Sequence, residues 1–431
     1  DAMSANATAP AVSNRQVAGV CLGNAIEFYD FVTYAFFAAQ IGRTFFPSDT
    51  PGLSLLASLA TFGVGFLTRP LGAVLLGRFA DRVGRKPAML VSFGLMGVAS
   101  IGLPLIPSHA AIGIAAPILV VICRLVQGFA VGGEVGASTA FLMEAAPASR
   151  RGFYTSLQAM SADLSALTAG TVGVILSSLM SDAALDAWGW RVALLFGAII
   201  IPVGLVLRRT LVETLHPQAG DAEDIEIRVS YRRIAVAGVC LVAAATTTNY
   251  LLKYMTTYAS STLGMTTQYA FGATVVVGLC GAICAPIAGT LSDRLGRKPV
   301  MLVPWVLLAL AVFPCFALLE HQRSATALYA ACAILATAST LSSSVFFVVI
   351  AESLPQRMRS GALGLIYAVA VSIFGGSAQF TVAWLTQLTG SPMTPAWYMI
   401  GGVVVGLIAM SVIPETAPVK RKARANIGDD A

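Results

Sequence analysis

Long apolar runs follow one another through most of this 431-residue chain, separated by short polar stretches. A helix needs about 20 apolar residues to cross the hydrocarbon core of a bilayer. The composition points the same way: 57% of the residues are hydrophobic and only 11% are charged, whereas a soluble domain carries roughly 25% charged residues. We therefore predict an all-α polytopic membrane protein with twelve spanning helices, at residues 17–42, 55–79, 88–107, 112–142, 152–179, 189–209, 233–260, 267–291, 299–319, 325–351, 360–387 and 394–413.

A ten-residue basic sequence occurs twice in the chain. Gly77–Lys86 reads GRFADRVGRK, and Gly289–Lys298 reads GTLSDRLGRK. A shorter repeat ends the predicted fourth and tenth helices, where Glu144 and Glu352 each precede a pair of arginines. These duplications predict two related halves. The expected division is a tail at 1–16 (with Asp1 and Ala2, before Met3, outside the fold), a six-helix bundle at 17–209, a linker at 210–232, a second six-helix bundle at 233–413 and a basic tail at 414–431.

In each half the basic sequence lies between the predicted second and third helices, and there it resembles the signature motif of the major facilitator superfamily. Further motifs resemble the metabolite:proton symporter branch, namely NAIEFYD at 24–30, LTRPLG at 67–72, GFYTSLQ at 152–158 and WGWR at 188–191. The threonine-rich stretch 246–258 is similar to that of citrate and tricarballylate carriers. The resemblance implies two pseudo-symmetric six-helix bundles that give alternating access to a central site, in a monomer of the bacterial inner membrane.

The duplicated sequence contains residue types that suit a gate between the halves. Its glycines permit a tight reversal of the chain, and its aspartate can accept hydrogen bonds from a helix N-terminus or pair with neighbouring arginines. We expect the repeated glutamates to join basic residues of their own loops in this latch. The alternative is a basic loop that only sets topology. The candidate gating residues are Gly77, Asp81, Arg82, Gly84, Arg85, Glu144, Arg151, Gly289, Asp293, Arg294, Gly296, Arg297, Glu352 and Arg359.

The basic residues are distributed unevenly between the two predicted sides of the membrane. With both termini in the cytoplasm, most of the 27 lysines and arginines fall in inner segments, and only Arg43, Arg191 and Arg323 fall in outer loops. Lysine and arginine favour the cytoplasmic side, so this asymmetry predicts cytoplasmic termini. It also accounts for the net charge of +6 without a nucleic-acid partner.

Seven ionisable residues lie within the predicted helices, where each costs about 2.5–3.5 kcal/mol even on lenient scales. We therefore expect them to face a cavity or a partner. Glu27, Arg69 and Glu134 each lie roughly 15 Å from the cytoplasmic ends of their helices, which predicts one layer in which an arginine holds carboxylates. Arg191, at the outer end of the sixth helix, is assigned to the same charge network or to an interfacial anchor. The seven are Glu27, Asp30, Arg69, Arg124, Glu134, Asp163 and Lys253.

A proton is the expected coupling ion, with sodium as the alternative. The three histidines lie in predicted loops, so carboxylates must carry an intramembrane proton. A carboxylate serves this purpose if its affinity for a proton changes when substrate engages the neighbouring cation. The candidates are Asp30 and Glu27, followed by Glu134 and Asp163. No metal or other cofactor is expected, because the cysteines and histidines form no ligand pattern.

Arg124 and Lys253 are the expected anchors of an anionic substrate. A guanidinium fork matches a carboxylate bidentately, and a lysine flanked by hydroxyls suits a second carboxylate. Alternatively, Arg124 is a structural partner of Asp30 or Asp163, and Lys253 snorkels to the outer interface. Hydrogen bonds to the substrate are expected from Asn249, Tyr250, Gln127, Gln158, Tyr34, Ser161 and Thr257.

These residues favour proton-coupled uptake of a small di- or tricarboxylate such as citrate or tricarballylate. The alternative is a symporter of a zwitterion or another small metabolite, such as betaine, proline, shikimate or α-ketoglutarate, for which one intramembrane cation suffices. Drug antiport is disfavoured, because the fifth helix lacks a proline between Arg151 and Met180. An enzyme is disfavoured, because the predicted helices hold no histidine for a catalytic triad and no nucleotide-binding loop occurs.

Overall fold

The computed structural model of this chain describes residues 13–50, 52–83, 85–133, 135–144, 146–209, 231–354 and 359–420. Every regular element in these residues is a helix, and each of the twelve predicted spans is helical, which confirms the all-α prediction. We number the spans α1 (Asn14–Phe36 and Ala38–Phe45), α2 (Leu53–Leu67 and Arg69–Val83), α3 (Arg85–Leu105), α4 (Ala115–Gly132 and Val135–Glu144), α5 (Arg151–Leu179), α6 (Trp190–Arg209), α7 (Tyr231–Thr257), α8 (Thr267–Leu295), α9 (Arg297–His321), α10 (Ala325–Ser343 and Phe346–Glu352), α11 (Arg359–Ala370 and Gly376–Thr389) and α12 (Thr394–Val412).

Short helical turns complete the described part of the chain. Single turns occupy His109–Ile112, Ala148–Arg150 and Asp182–Ala184. Wider π-helical turns occupy Leu185–Gly189, Tyr258–Thr262 and Val371–Gly375. Within the described residues, nine helical stretches are long and apolar enough to cross a membrane by themselves. Spans α1, α3 and α6 are not among them; α1 carries the polar residues Asn24, Glu27 and Asp30, and the apolar part of α3 covers only Leu90–Leu105.

Four spans that the sequence predicts as continuous consist of two helical pieces in the structure, and in α1 the pieces meet at Phe37. In α2 the break falls at Thr68, before Arg69 and Pro70; proline lacks an N–H group and disfavours a helical conformation in the residue before it. In α4 the first piece ends at Gly132, and in α10 the break falls at Ser344. The predicted spans at 17–42, 55–79, 112–142 and 325–351 are therefore helical, but each is divided into two pieces. The break in α2 places Arg69 at the start of a helical segment in the middle of the span.

The two halves meet through glycines that allow their backbones to touch. Gly152 of α5 lies against α8, where a Cβ atom on Gly152 would approach the carbonyl oxygen of Gly289 to 2.7 Å. Gly376 of α11 lies against α2, where a Cβ atom would be 3.0 Å from the carbonyl oxygen of Gly63. Small residues at such crossings permit close packing of membrane helices. The α5–α8 and α2–α11 pairs therefore form tight contacts across the boundary between the halves.

The second copy of the basic sequence is almost entirely helical. Helix α8 continues to Leu295, Gly296 adopts a φ of 107°, and α9 begins at Arg297. In the first copy α2 extends to Val83 and α3 begins at Arg85, with Gly84 outside the described residues. The predicted loops between 79 and 88 and between 291 and 299 are thus wrong in extent. In the second copy a single glycine makes the turn, which brings the charged residues of two helix ends together.

Candidate functional site

A chain of hydrogen bonds inside the N-terminal half links Arg124 of α4 to Asp30 of α1. Arg124 Nη1 donates to Gln127 Oε1 (2.7 Å), and Gln127 Nε2 donates to Asp30 Oδ2 (2.6 Å). Ser100 of α3 donates to the same carboxylate oxygen at 2.5 Å. Arg124 and Gln127 are fully buried, and Asp30 is 3% exposed. The structure therefore brings two predicted residues together, with the amide of Gln127 between the cation and the carboxylate.

Aromatic rings surround the guanidinium group of Arg124. Its Cζ atom lies 4.3 Å from the ring centre of Phe31, 4.7 Å from that of Tyr34 and 5.1 Å from that of Phe62. Aromatic faces attract a cation but accept no conventional hydrogen bond from it. Nε and Nη2 of Arg124 accordingly have no hydrogen-bond partner among the described residues. Oδ1 of Asp30 also lacks one. The buried site thus combines two unsatisfied donors with an unsatisfied acceptor.

Arg69 of α2 belongs to the same aromatic cluster. Its Cζ atom lies 4.1 Å from the ring centre of Phe66 and 4.6 Å from that of Phe31, and its side chain is buried. Arg69 Nη1 donates to the hydroxyl of Tyr367 on α11 at 3.4 Å. The predicted layer also includes Glu27, which is buried at 3% exposure, and Glu134, which lies outside the described residues. Arg69 is therefore held by rings of its own half and by a hydroxyl of the other half.

Helix α7 contributes the residues of the C-terminal half. The ring of Tyr250 lies 5.4 Å from that of Phe66 and 6.0 Å from that of Phe62, so it touches the aromatic cluster across the boundary. Lys253 Nζ lies 5.2 Å from the ring centre of Tyr250. Lys253 is only 7% exposed, which does not fit a side chain that snorkels to the membrane interface. Asn249 is half-buried and Thr257 is buried on the same helix.

The remaining predicted polar residues divide between a structural network and the boundary of the halves. Asn24 Nδ2 donates to Ser161 Oγ (2.6 Å), and Gln158 Nε2 donates to Asn24 Oδ1 (3.1 Å), which ties α1 to α5. Tyr34 donates to the carbonyl oxygen of Ser58 at 3.3 Å. Asp163 is half-buried against α8, where Gly281 leaves space for its carboxylate. Gln158, Ser161 and Tyr34 are thus already engaged within their own half.

Arg191 has no carboxylate among the hydrogen-bond partners that the described residues provide. Its Nε donates to the carbonyl oxygen of Pro104 (3.1 Å), and its Nη2 donates to that of Ile106 (3.0 Å). Its guanidinium group also stacks on Trp190 at 4.4 Å. These bonds satisfy carbonyl groups at the C-terminal end of α3. This placement fits the interfacial-anchor interpretation of Arg191 better than a charge network with Arg69.

A buried ionic network surrounds the second basic sequence. Asp293 Oδ1 and Oδ2 accept hydrogen bonds from the backbone N–H groups of Gly152 and Phe153, both at 2.9 Å. These N–H groups belong to the first turn of helix α5 in the other half. Asp293 Oδ1 also pairs with Arg297 at 2.7 Å. The structure therefore confirms both interactions expected for this aspartate. Its carboxylate joins the two halves at the end of the bundle that is predicted to be cytoplasmic.

Glu352 belongs to the network around the second basic sequence. Its carboxylate pairs with the fully buried Arg297 at 2.9 Å, and the expected contact with the arginines of its own loop stays a prediction, because Arg357 and the side chain of Arg359 lie outside the described residues. Thr416 donates to the same carboxylate at 2.7 Å. Glu415 accepts hydrogen bonds from the N–H groups of Arg297 (2.9 Å) and Lys298 (3.0 Å). The segment after α12 thus closes the network and caps α9.

Several candidate gating residues cannot be assigned contacts. Gly84 lies outside the described residues, as does Arg357 next to Glu352, and the structure describes only the backbone at Gly77, Asp81, Arg82, Arg85, Glu144 and Arg359.

The sequence analysis did not identify several residues that contact the candidate site and the ionic network, because their residue types are ordinary in membrane helices. These are the rings of Phe31, Phe62 and Phe66, the hydroxyls of Ser100, Tyr367 and Thr416, and the carboxylate of Glu415. Among them, only Glu415 could have been noticed in the sequence, because it is an acidic residue in a basic tail.

Comparison with known proteins agrees with this architecture. The family model described as Major Facilitator Superfamily matches residues 20–377 and 234–428. The chain is 33% identical over 414 residues to a citrate-proton symporter of Salmonella typhi, covering 94% of this chain and 95% of the relative. It is 34% identical over 398 residues to the alpha-ketoglutarate permease of Escherichia coli, covering 91% of each. Among solved structures, the xylose transporter XylE from E. coli in a partially occluded inward open conformation has the same fold, with a TM-score of 0.76 at 18% identity over 93% of this chain and 98% of that one.

Proposed function

We propose that this chain, which belongs to the major facilitator superfamily, is a secondary transporter that takes up citrate or a similar polycarboxylate together with protons. One observation carries the proposal. Arg124 is fully buried, its Nε and Nη2 groups have no partner among the described residues, and Gln127 connects it to the buried carboxylate of Asp30. An unsatisfied guanidinium fork in a dry site suits a substrate carboxylate, because each N–H then gains a charge-assisted hydrogen bond.

The connection through Gln127 supports a coupling of substrate to protons. Before substrate arrives, Asp30 and Arg124 offset one another across the amide of Gln127. A substrate carboxylate that binds Arg124 offsets its positive charge. The carboxylate of Asp30 is then left in a buried site with another anion nearby. Like charges at short range favour the neutral form of one of them. Asp30 then takes up a proton, for which Oδ1 is free of other described donors. Substrate and proton therefore bind together.

Accumulation into proteoliposomes tests the function directly. The full chain is reconstituted, and uptake of labelled citrate is followed with an imposed proton gradient that is alkaline inside. We expect citrate to accumulate above equilibrium and a protonophore to abolish the accumulation. A sodium gradient at equal pH should give no accumulation. Transport of betaine or proline without transport of any polycarboxylate would contradict the proposal and favour the zwitterion alternative.

Alpha-ketoglutarate is an alternative substrate that can be tested in the same assay by competition with citrate. The permease of that name is as similar to this chain as the citrate symporter is. A dicarboxylate needs two cationic partners, and Arg124 with Lys253 supplies one from each half. Competition of unlabelled α-ketoglutarate against labelled citrate ranks the two substrates on one protein.

The substitution Arg124→Gln should weaken citrate binding at least tenfold while the protein remains folded. Losing one partner of a buried charge pair costs about 2–5 kcal/mol, which corresponds to roughly 30-fold or more in the dissociation constant. Isothermal titration of the purified variant measures the change, and Arg323→Gln in an exposed loop is the matched control. Citrate affinity unchanged in Arg124→Gln would show that the substrate binds elsewhere.

A further inference from the structure

We infer that Arg69 is a specificity-determining residue that binds a carboxylate of the substrate, so that Arg69, Arg124 and Lys253 together recognise three carboxylates. This inference rests on the proposed function, because it concerns the same substrate site. It assigns to Arg69 a contact with substrate instead of a purely internal pairing in the membrane. The first support is the state of its guanidinium group. Arg69 is 1% exposed, and its Nε and Nη2 groups have no hydrogen-bond partner among the described residues.

The position of Arg69 relative to Arg124 is the second support. Both guanidinium groups lie against the ring of Phe31, at 4.6 Å for Arg69 and 4.3 Å for Arg124, so their central carbons are within about 9 Å of each other. The same pair of atoms, Nε and Nη2, is unsatisfied in both residues. Two buried like charges this close repel one another unless an anion lies beside them. A small molecule with two carboxylates can reach both forks.

The third cation comes from the other half of the molecule. Phe66, which stacks on Arg69, contacts Tyr250, and Lys253 lies 5.2 Å from the ring centre of Tyr250. One connected aromatic cluster therefore carries all three cations. The described residues place no carboxylate within ion-pair distance of Arg124 or Lys253. Aromatic rings hold the cations in place without accepting conventional hydrogen bonds from them, and Nε and Nη2 of Arg69 and Arg124 remain for the substrate.

This arrangement discriminates between substrate classes. A tricarboxylate supplies one carboxylate for each cation, whereas a dicarboxylate leaves one cation buried without a counter-charge. A molecule with a quaternary ammonium group would add a fourth positive charge to the same cluster. The site should therefore rank substrates by their number of carboxylates. Tricarballylate and glutarate make a matched pair for this purpose, because they share a three-carbon backbone and differ only in the central carboxylate.

The test measures the dissociation constants of tricarballylate and glutarate on wild-type protein, Arg69→Gln, Arg69→Lys and the control Arg323→Gln, all as full-length purified chains. Wild type and the control should prefer tricarballylate at least tenfold. Arg69→Gln should reduce this preference to threefold or less, because the third carboxylate loses its partner. Arg69→Lys keeps the charge but loses the fork, so it should restore most of the preference. Size-exclusion profiles and thermal unfolding confirm that the variants are folded.

The outcomes separate this inference from the proposed function. If wild type binds tricarballylate and Arg69→Gln keeps the full preference for it, Arg69 does not bind substrate and the inference fails alone. Equal loss of both affinities in Arg69→Gln, with no rescue by Arg69→Lys, also overturns it, because that result indicates a structural role. If Arg69→Gln does not fold, Arg69→Met, which removes the charge but keeps a long side chain, takes its place, and an undiminished preference for tricarballylate in that variant overturns the inference. Failure of wild type to bind either compound or citrate overturns the proposed function itself.

Discussion

At the scale of single residues, the geometry around Asp30 explains how one carboxylate can serve coupling. Ser100 and Gln127 both donate to Oδ2, so this oxygen is fixed, while Oδ1 has no described partner. Gln127 is oriented by its bond from Arg124, because its oxygen accepts there and its nitrogen must point toward Asp30. The amide therefore connects Arg124 to Asp30 directly. In the proposed mechanism, substrate binds Arg124 on α4, the proton binds Asp30 on α1, and Gln127 links the two groups.

The substitution Asp30→Asn tests this at the residue scale. The amide cannot take up a coupling proton, so proton-driven accumulation of citrate should be abolished. Exchange of internal for external citrate does not require the proton to cycle, and we expect counterflow to persist. Both are measured in the same proteoliposomes, with the exposed Asp49→Asn as control. Accumulation against a gradient by Asp30→Asn would assign the coupling proton to another carboxylate, with Glu27 next.

At the scale of elements, the junction of α8 and α9 forms part of the contact between the halves. Helix α8 ends with Asp293 two residues before its last residue, and Gly296 turns the chain so that Arg297 faces that carboxylate. Asp293 in turn caps the N-terminus of α5, where negative charge is favoured by the helix dipole. Arg297, Glu352, Glu415 and Thr416 complete the junction from three further elements. One helix end therefore holds a helix of the opposite half.

Neutralising the carboxylate of this junction should impair transport while leaving the protein in the membrane. In Asp293→Asn the ion pair with Arg297 is lost and one of the two bonds to α5 loses its acceptor. We expect citrate flux to fall at least several-fold, because the closed state of this end is weakened. Flux in proteoliposomes is compared with the amount of protein inserted. Normal flux in Asp293→Asn would rule out a gating role for this junction.

The turn itself makes a separate prediction about stability. Gly296 has a φ of 107° and a ψ of 159°, a backbone region that is essentially restricted to glycine. A Cβ atom there would also lie 3.0 Å from Glu415 Oε2. Gly296→Ala should therefore cost about 1–3 kcal/mol of stability. Thermal unfolding in detergent measures the loss. Gly401→Ala is the control, since Gly401 is helical with no atom within 4 Å of the added Cβ, and an equal effect of the two would contradict the explanation.

At the scale of the whole molecule, alternating access requires the halves to separate at one end while they remain joined at the other. The α5–α8 contact runs along both helices, from Gly152 and Gly289 near Asp293 to Gly173 and Phe271, whereas the α2–α11 contact joins Gly63 and Gly376 in the interior of their spans. Tyr250 and the aromatic cluster connect α7 to α1 and α2. Substrate bound to cations of both halves would draw them together at this level. A rocking motion about a central site would have to separate some of these contacts while it keeps the others.

A bulky residue at the α2–α11 contact should block this motion. A tryptophan side chain at Gly63 has no space against the backbone of Gly376, so the two halves cannot come together at this contact. We expect Gly63→Trp to bind citrate within about threefold of wild type but to transport it at less than a tenth of the rate. Titration and proteoliposome flux measure the two quantities. Gly401→Trp, which points into open space on α12, should transport normally, and normal flux in Gly63→Trp would contradict the motion.

The sequence by itself determined the twelve helices and the two repeats, and it offered a helix N-terminus or a neighbouring arginine as alternative partners of Asp293. The length of an apolar segment and the positions of its glycines are local properties of the sequence. Within a membrane, an apolar segment has few alternatives to a helix, because its backbone polar groups must be satisfied internally. The sequence also identified Asp30, Gln127 and Arg124, because charges within apolar runs are conspicuous. Their arrangement was decided only by the tertiary structure: Gln127 contacts a carboxylate 97 positions away, and Arg69 reaches a hydroxyl 298 positions away. The same holds for Glu352, which binds Arg297, 55 positions away. Helix formation follows from neighbours along the chain, whereas the partners of a buried charge depend on which distant helix packs against it.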